Sequence, residues 1–240
     1  MLEQLVDGLR SLGYDITSTQ LQMFELYRSE LLRWNEYSNL TAITDPDQIE
    51  TRHFLDSITP LQLLDALNSS DYRLTILDVG SGAGFPGIPL KLILPHSRLV
   101  MLEATGKKVA FLVHLVDLLH LDDTEVVQER AEVLAHSASH REHYSLVVAR
   151  AVAPLRTLAE ICLPFTSLGG LFVAFKKGDM TQELFEARNA VSRLGGGESR
   201  ITEVRLPQLP DQRCLVSITK AYPSPNRYPR RIGIPFKRPL

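Results

Sequence analysis

The sequence predicts an α/β fold in which helices cover a seven-stranded, mostly parallel sheet that follows an amino-terminal helical cap. From about Tyr72 onwards, short apolar runs alternate with helical stretches, as in parallel strands joined by crossover helices. After five such strands, the runs ITEVRL and CLVSITK flank the segment PQLPDQR and predict an antiparallel hairpin. The chain has 240 residues, enough for one core of this kind with a small appendage.

Apolar residues at helical spacing predict the cap over residues 1–70. They recur between Thr19 and Asn39, where Thr19 is the expected amino-terminal cap of an amphipathic helix. A second helix is expected after Asp47. That second helix carries four residues of interest, namely Arg52, His53, Phe54 and Asp56.

Alternating strands and helices predict the core over residues 71–222. The parallel strands are LTILDVG, RLVMLEA, TEVVQ, SLVVA and GGLFVAFKK. Helices are expected around IPLKLIL, over Lys107 to His120, Ala131 to His140 and Leu155 to Leu163, and up to about Leu194. The last segment, 223–240, is rich in proline and arginine, so we expect an extended tail there.

Composition narrows the class of protein. Apolar residues make up 44% of the chain and charged residues 22%, as in soluble globular proteins. No stretch approaches the roughly 20 apolar residues that span a bilayer, and Glu3 and Asp7 interrupt any signal-peptide core. Cys162 and Cys214 lie in apolar segments and predict buried free thiols. We therefore expect a cytoplasmic protein with no membrane partner, and a monomer.

The charges are distributed unevenly along the chain. The net charge is only −2, but no acidic residue follows Asp211. The basic residues beyond it favour an anionic partner near the carboxyl end, although a solvated tail explains the charge equally well. The tail residues expected to contact such a partner are Arg230, Arg231, Lys237 and Arg238.

A glycine-rich turn follows the first strand, in the run LDVGSGAGFPG. Gly80, Gly82 and Gly84 can adopt conformations closed to other residues and let a ligand approach the backbone, so a nucleoside site is expected there. Gly82, Gly84 and Gly87 also satisfy the dinucleotide fingerprint, which leaves a nicotinamide-dependent dehydrogenase or a tight turn without ligand as alternatives. Asp78 would repel a pyrophosphate but suits the cationic sulfonium of S-adenosyl-L-methionine. This favours a Rossmann-like, class I S-adenosylmethionine-dependent methyltransferase fold.

Further candidates follow the other strands. Glu103 ends the second strand, where a carboxylate can accept the ribose hydroxyls of either cofactor class. Ala131 and Glu132 follow the third strand near the expected adenine, although Glu132 could equally be a helix-start acid. Arg150 ends the fourth strand and needs an anion, either the cofactor carboxylate or an RNA phosphate. The fifth strand ends in the possible RNA contacts Lys176 and Lys177, which could also be solvated.

Six runs together resemble one family. WNEYSNLTAI, RHFLDS, LDVGSGAGFPGIPL, ARAVAPL, GGLFVAFKKG and YPRRIGIPFKRPL are similar to the glucose-inhibited division protein B family, also called ribosomal RNA small subunit methyltransferase G. The resemblance covers about residues 34–240, with departures at Ala149, where the family often has serine, and Lys108, where it has arginine. It implies methylation of a guanine N7 in 16S ribosomal RNA near the decoding site. It also implies five cofactor contacts, namely Gly80, Phe85, Ala131, Glu132 and Arg150.

The implied reaction sets the roles of the candidate residues. Guanine N7 has a free lone pair at neutral pH, so no general base is expected and Arg150 acts by positioning. An exposed base would stack on a planar side chain, for which Phe85, Arg52 and His53 are candidates. Two of His136, His140 and His143 could share a helix face as metal ligands, but their polar segment favours solvated histidines and no metal. A small-molecule methyltransferase and a non-enzymatic RNA-binding assembly factor remain the alternative functions.

Overall fold

The computed structural model describes residues 2–67, 73–150 and 153–240. The chain begins with a group of helices. They are α1 (Glu3–Ser11), α2 (Ser18–Ser38), α3 (Pro46–Gln48), a π-helix (Ile49–Leu55), α4 (Asp56–Ile58) and a 3-10 helix (Thr59–Leu67). No helix in these described ranges is both long and apolar enough to cross a membrane.

The amino-terminal cap of α2 is Thr17, so the prediction of Thr19 was wrong by two residues. The Thr17 side chain accepts a hydrogen bond from the Gln20 backbone N–H, and the Gln20 side chain accepts one from the Thr17 backbone, which forms a capping box. Ile16, just before the cap, and Leu21, in the first turn, both pack against the core. Beginning the helix at Thr17 buries both apolar side chains, which favours the earlier start.

The seven-stranded sheet has the predicted composition, with strands in the order β3-β2-β1-β4-β5-β7-β6. Neighbours among the first five strands run parallel, whereas β7 is antiparallel to β5 and β6. The strands are β1 (Thr75–Val79), β2 (Arg98–Glu103), β3 (Thr124–Gln128), β4 (Tyr144–Ala149), β5 (Thr166–Lys177), β6 (Gly196–Val204) and β7 (Arg213–Lys220). Because the order reverses between β1 and β4, their carboxyl ends form the crevice where ligands of open α/β sheets bind.

Helices connect the strands and cover both faces of the sheet. They are α5 (Gly87–Ile93), α6 (Gly106–Leu118), α7 (Ala131–Leu134), α8 (Leu155–Cys162), α9 (Thr181–Arg193) and α10 (Ile234–Lys237), with a 3-10 helix at Leu163–Phe165. The α7 helix ends six residues before the predicted His140, because Arg141 donates to the Ala135 carbonyl that a longer helix would use. The short α10 also corrects the expectation of a wholly extended tail.

Alternating strand residues divide the core into two clusters. Ile76 on β1 packs with the amino-terminal helices, including Phe24 and Phe54, whereas Leu77 packs with α8 and α9 on the other face. Each fully buried phenylalanine contributes about 2–3 kcal/mol of hydrophobic stabilisation, so the cap is joined firmly to the sheet. The predicted boundary between residues 70 and 71, the start of alternation at Tyr72, and Ala151 and Val152 of the run ARAVAP lie outside the described residues. The division into cap, core and tail stays a prediction.

Candidate active site

The glycine loop follows β1 and opens towards the crevice. Gly80, Gly82 and Gly84 all have positive φ angles, of 76°, 60° and 95°, as the sequence predicts. A Cβ atom at Gly80 would meet no atom within 4 Å, so the loop surface has room for a ligand. The Gly80 and Ser81 amides donate to the Leu102 carbonyl of β2, which holds the loop against the sheet.

Gly84 is enclosed, in contrast to Gly80. A Cβ atom there would lie 2.7 Å from Ile88 Cδ1 and 2.8 Å from the Tyr27 hydroxyl. Tyr27 comes from α2 and donates a 2.5 Å hydrogen bond to the Ala83 carbonyl. The amino-terminal helices therefore hold the glycine loop in place. The sequence pattern did not predict this contact.

We expect Gly84→Ala to lower the free energy of unfolding by about 3 kcal/mol, from left-handed strain plus the contacts with Ile88 and Tyr27. The matched control is Gly13→Ala, because Gly13 has a φ of 82° and nothing within 4 Å of a Cβ. Strain alone predicts a loss of about 1–2 kcal/mol for the control. Urea unfolding of both variants measures the difference. Equal losses would show that packing by α2 contributes nothing to the loop.

Asp78 lies at the end of β1 beneath the loop and is fully buried. Its Oδ2 accepts a 2.9 Å hydrogen bond from the Gly87 amide, and its Oδ1 has no hydrogen-bond partner among the described residues. Burial raises the pKa of Asp78 to about 7, with Glu103 adding to the rise and Arg150 opposing it. Gly87, which completes the dinucleotide pattern, thus binds a carboxylate of its own chain. An unpartnered carboxylate oxygen fits a cationic cofactor far better than a pyrophosphate.

Glu103 ends β2 and is also buried. Its Oε2 accepts from the Gly82 amide at 2.9 Å, and its Oε1 accepts from the Thr105 amide at 2.8 Å. The carboxylate therefore joins the glycine loop to the exit of β2, beside the surface where a nucleoside would lie. Its predicted contact with the ribose stays a prediction.

The third candidate pair lies at the start of α7. Ala131 is the first residue of the helix, and Glu132 follows it with its side chain buried. The Glu132 Oε1 accepts a 3.0 Å hydrogen bond from the Gly233 amide of the carboxyl-terminal segment. The two interpretations of Glu132, as an acid that begins a helix and as a ligand contact, did not predict this partner in the tail. The expected adenine edge of the crevice and the tail are therefore connected through one carboxylate.

Arg150 meets an anion, as its position at the end of β4 requires, but the anion belongs to the cap. The Arg150 Nη1 lies 3.1 Å from Asp56 Oδ2 and donates to the carbonyls of Arg52 and His53. Asp56 also pairs with Arg213 of β7 at 2.6 Å. The sequence pattern predicts no role for Asp56, and the signal for one is its position as an acid in a helix rich in site candidates. Cofactor or phosphate binding by Arg150 stays a prediction.

The structure opposes base stacking on Phe85. Its ring stacks with His53 at a centroid distance of 4.5 Å and with Tyr27 at 5.2 Å, and Arg150 Cζ lies 5.0 Å away. Phe85 is buried, so these side chains occupy the surfaces that a base would need. Burial, followed by the charges of Arg150 and Arg213, lowers the pKa of His53 to about 3. His53 is therefore neutral near pH 7 and offers no cation to RNA, whereas Arg52 is exposed.

A cleft of about 660 Å³ lies beside Arg150, where β4, β5 and β7 reach the crevice edge of the sheet. Its volume is in the range that binds small ligands. Its apolar lining comes mainly from Pro154, Phe175, Val204 and Leu215. The charged residues that line it are Asp56, Arg150, Arg156, Lys176, Lys177, Glu183, Glu186 and Arg213.

The two lysines that end β5 differ in environment. Lys176 is nearly buried, and its Nζ lies 2.6 Å from both Glu183 Oε1 and the Ala153 carbonyl. Lys177 is mostly exposed and pairs with Asp211 at 3.3 Å. The alternative of a solvated side chain therefore fails for Lys176. Of the two, Lys177 is the one that remains accessible to an RNA backbone.

The basic tail residues also differ from one another. Arg230 binds the buried Glu160 through its Nε at 2.7 Å and its Nη2 at 2.6 Å, so its guanidinium is already engaged with an anion. This pairing opposes the predicted phosphate contact of Arg230. The other three predicted contacts are exposed, namely Arg231, Lys237 and Arg238.

The cysteines and histidines have structural surroundings. Cys162 and Cys214 are buried free thiols, as predicted. His136 Nε2 lies 2.9 Å from the Pro229 carbonyl, and His140 Nδ1 lies 2.6 Å from the Tyr144 hydroxyl. Within the described ranges, no group of three or more His, Cys, Asp or Glu side chains is arranged so that it could hold a metal ion.

Comparisons with known proteins agree with this geometry. The model of the family described as "GidB: rRNA small subunit methyltransferase G" matches residues 20–213. Two proteins named ribosomal RNA small subunit methyltransferase G are similar over their full length. One, from Dehalococcoides mccartyi, is 46% identical over 239 residues, and one from a Roseiflexus species is 43% identical over 239 residues. Each alignment covers 100% of both chains.

Solved structures support the fold alone, since their sequence identity is low. A predicted O-methyltransferase from Agrobacterium tumefaciens matches with a TM-score of 0.52 and 21% identity, over 68% of this chain and 81% of that one. A protein from Methanococcus maripaludis, described as an S-adenosyl-L-methionine-dependent methyltransferase, matches with a TM-score of 0.51 and 17% identity, over 73% of this chain and 90% of that one.

The glycine loop, the buried Asp78 and these comparisons exclude the dehydrogenase alternative. The chain belongs to the rRNA small subunit methyltransferase G family of S-adenosylmethionine-dependent enzymes.

Proposed function

We propose that this enzyme methylates N7 of a guanine in 16S ribosomal RNA, in the loop near the decoding site. The observation that carries the proposal is the cleft that begins at Arg150, beside the glycine loop, and extends past Lys176 to Arg213. Its apolar walls suit a planar base, and it is lined by more basic than acidic side chains. Arg156 and Lys177 also line the cleft and add positive charge that favours a phosphate there.

The residues of the chain fit S-adenosylmethionine at the head of the crevice. The open backbone at Gly80 would accept the nucleoside, Glu103 the ribose, and the partnerless Oδ1 of Asp78 the positive charge. The bound cofactor would supply a methyl group on a sulfonium, so that the N7 lone pair forms the new N–C bond as the C–S electrons pass to sulfur. No proton moves, and the guanine becomes cationic.

The other residues would act by positioning and by electrostatics. The Asp56 carboxylate holds Arg150 and Arg213 close together in the cleft lining. Pro154, Phe175 and Leu215 would exclude water from the base. Because the product guanine is positively charged, carboxylates near the base favour the transition state over the neutral reactant.

Small ribosomal subunits from a strain that lacks this gene provide the test. We expect purified enzyme to transfer a labelled methyl group from S-adenosylmethionine to the 16S RNA, and chemical cleavage at 7-methylguanosine to map it to one guanine. Cofactor binding without transfer to that RNA would contradict the proposed substrate. RNA binding without turnover would instead favour the assembly-factor alternative.

Deleting residues 226–240 would not distinguish the proposed RNA methyltransferase from a small-molecule methyltransferase. The deletion would remove Arg230 from the buried Glu160 and Gly233 from Glu132, so activity would be lost for structural reasons. Neutralising only exposed tail charges avoids this difficulty. The substitutions are Arg231→Gln, Lys237→Gln and Arg238→Gln, combined in one protein.

For that triple variant we expect weaker RNA binding and a slope of log Kd against log salt that is smaller by about 2, because three phosphate contacts disappear. Fluorescence anisotropy with 16S RNA fragments between about 50 and 200 mM salt measures the slope. The charge-matched control neutralises the exposed residues Arg193, Arg200 and Arg205, for which no change is expected. An unchanged slope in the tail variant would remove the tail from the RNA interface.

A cytoplasmic location and a monomeric state are part of the proposal. An RNA substrate within the small ribosomal subunit requires access to the cytoplasm. Both the glycine loop and the cleft are built from one copy of the chain. Sedimentation at the working enzyme concentration tests the monomer.

A further inference from the structure

Among the charged groups of the cleft, Lys176 and Glu183 form a donor–acceptor pair of defined geometry. The Lys176 Nζ lies 2.6 Å from Glu183 Oε1, and Glu183 Oε1 also accepts a hydrogen bond from the Leu155 amide. Lys176 donates a second bond to the Ala153 carbonyl. These three hydrogen bonds hold the pair where the end of β5 meets the starts of α8 and α9.

Each partner keeps unused hydrogen-bonding capacity. An ammonium has three N–H donors, and Lys176 uses two of them. Both hydrogen bonds to Glu183 end on Oε1, and none within the described ranges ends on Oε2. The Glu183 side chain is 30% exposed and lines the cleft, so the carboxylate is accessible to a ligand there.

This pattern is complementary to one edge of guanine. Guanine presents the O6 acceptor beside the N1–H and N2–H donors, so an ammonium beside a carboxylate satisfies all three groups. Adenine presents an N6–H donor beside an unprotonated N1, which reverses the pattern and leaves both protein charges without partners. Burying those charges unpaired is costly, so the pair discriminates strongly between the two purines.

The position of the pair also orients N7. The sheet order places β4 between β1 and β5, and the cleft that Arg150 and Lys176 line lies on the β5 side of the crevice. N7 lies on the neighbouring edge of guanine, next to O6, so a guanine held by its O6, N1 and N2 groups on the β5 side keeps N7 free for the methyl donor. As N7 acquires positive charge, N1–H becomes more acidic, and its hydrogen bond to a carboxylate strengthens in the transition state.

We propose that Lys176 and Glu183 bind the O6, N1–H and N2–H groups of the target guanine and so select guanine and present its N7. This inference rests on the function proposed above, and it assigns to the cleft a base-binding site for guanine. Because both residues would contact the substrate, their effect must depend on the chemical groups of the base and not only on the fold.

The test combines variants of the enzyme with variants of the base. Small subunits are reconstituted with RNA that carries guanosine or inosine at the methylated position, since inosine lacks only the N2 amino group. Single-turnover rates are measured for the original enzyme, for Glu183→Gln, and for the control Asp117→Asn, at an exposed position on α6 outside the cleft. Thermal unfolding and cofactor affinity establish that each variant is folded.

For the original enzyme and Asp117→Asn, we expect inosine to react about 10- to 100-fold more slowly than guanosine. For Glu183→Gln, we expect slow reaction with guanosine and at most about a twofold further loss with inosine, because the partner of the amino group is already weakened. The same loss in Glu183→Gln as in the original enzyme would overturn the inference. Should Glu183→Gln not fold, equal rates of the original enzyme on the two bases would overturn it independently. Absence of methylation of guanosine by the original enzyme would instead contradict the proposed function.

Discussion

Asp78→Asn is expected to weaken S-adenosylmethionine binding by about 10- to 100-fold, the loss typical of an interaction with a charged group. The same change is expected to stabilise the ligand-free protein at pH 8. Asp78 is fully buried with Oδ1 unpartnered, so its ionised form is disfavoured when no cation is present. Asparagine keeps an acceptor for the Gly87 amide without the charge.

The stability difference depends on pH with a definite sign. Burial raises the pKa of Asp78 from 3.8 to about 7, so between these values the folded protein keeps a proton that the unfolded chain loses. The contribution of Asp78 to stability therefore falls as pH rises through this range. A rise of this size corresponds to up to about 4 kcal/mol, of which the new unpartnered amide group removes about 1–3 kcal/mol. We thus expect a net gain of about 1–3 kcal/mol for Asp78→Asn at pH 8 and a net loss at pH 4, where the folded carboxyl is already neutral and only the cost of the amide remains.

Urea unfolding at several pH values and calorimetric titration with S-adenosylmethionine measure the two effects. His53 acts in the opposite direction, because its pKa of about 3 makes folding more favourable as pH rises towards 6.5. His53 is present in both proteins, so its effect cancels in the difference. Asp117→Asn, at an exposed position on α6, is the control and should change neither quantity. Unaltered cofactor affinity in Asp78→Asn would show that this carboxylate has no role in binding the cation.

Arg230→Met is expected to lower the free energy of unfolding by about 3 kcal/mol, because it leaves Glu160 as a buried charge without its partner. Glu160 has no exposed surface and accepts bonds from the Arg230 Nε and Nη2. Arg230 also donates to the Arg238 carbonyl, so its loss loosens the end of the tail as well. Urea unfolding at pH 7 measures the change.

A double variant separates the ion pair from simple packing. Replacing a buried pair by apolar side chains of similar size is often neutral, so adding Glu160→Met to Arg230→Met should recover most of the lost stability. Arg231→Met is the control for the adjacent exposed arginine and should stay within about 0.5 kcal/mol of the original protein. Equal effects of Arg230→Met and Arg231→Met would contradict a structural role for the Arg230–Glu160 pair.

The order of elements was predictable because it depends on local pattern. Alternation of apolar runs and helical stretches indicates crossover units, and positive φ angles at Gly80, Gly82 and Gly84 follow from what a turn after a strand requires. The position of the site was also predictable, because the carboxyl ends of parallel strands lie together at one edge of the sheet. Two local predictions were wrong, those of the amino-terminal cap of α2 and of the end of α7. Packing against the core favours a cap at Thr17, and a hydrogen bond from Arg141 ends α7 early.

The partners of the charged residues were not predictable from spacing. Arg150 and Asp56 are 94 residues apart in the chain, and Arg230 and Glu160 are 70 apart. Each was assigned to a ligand because an arginine needs an anion, but many carboxylates satisfy that requirement. Only folding brings one of them within hydrogen-bonding distance.

The sequence by itself thus determined the fold class, the glycine loop and the family, because repeated local patterns and contiguous motifs specify them. The tertiary structure decided which charges remain available for a ligand. It enclosed Phe85, engaged Arg230 with Glu160 and brought Lys176 beside Glu183. The physical reason is that a charge buried in a folded protein must find a partner, and the choice among partners depends on distances that no local pattern contains.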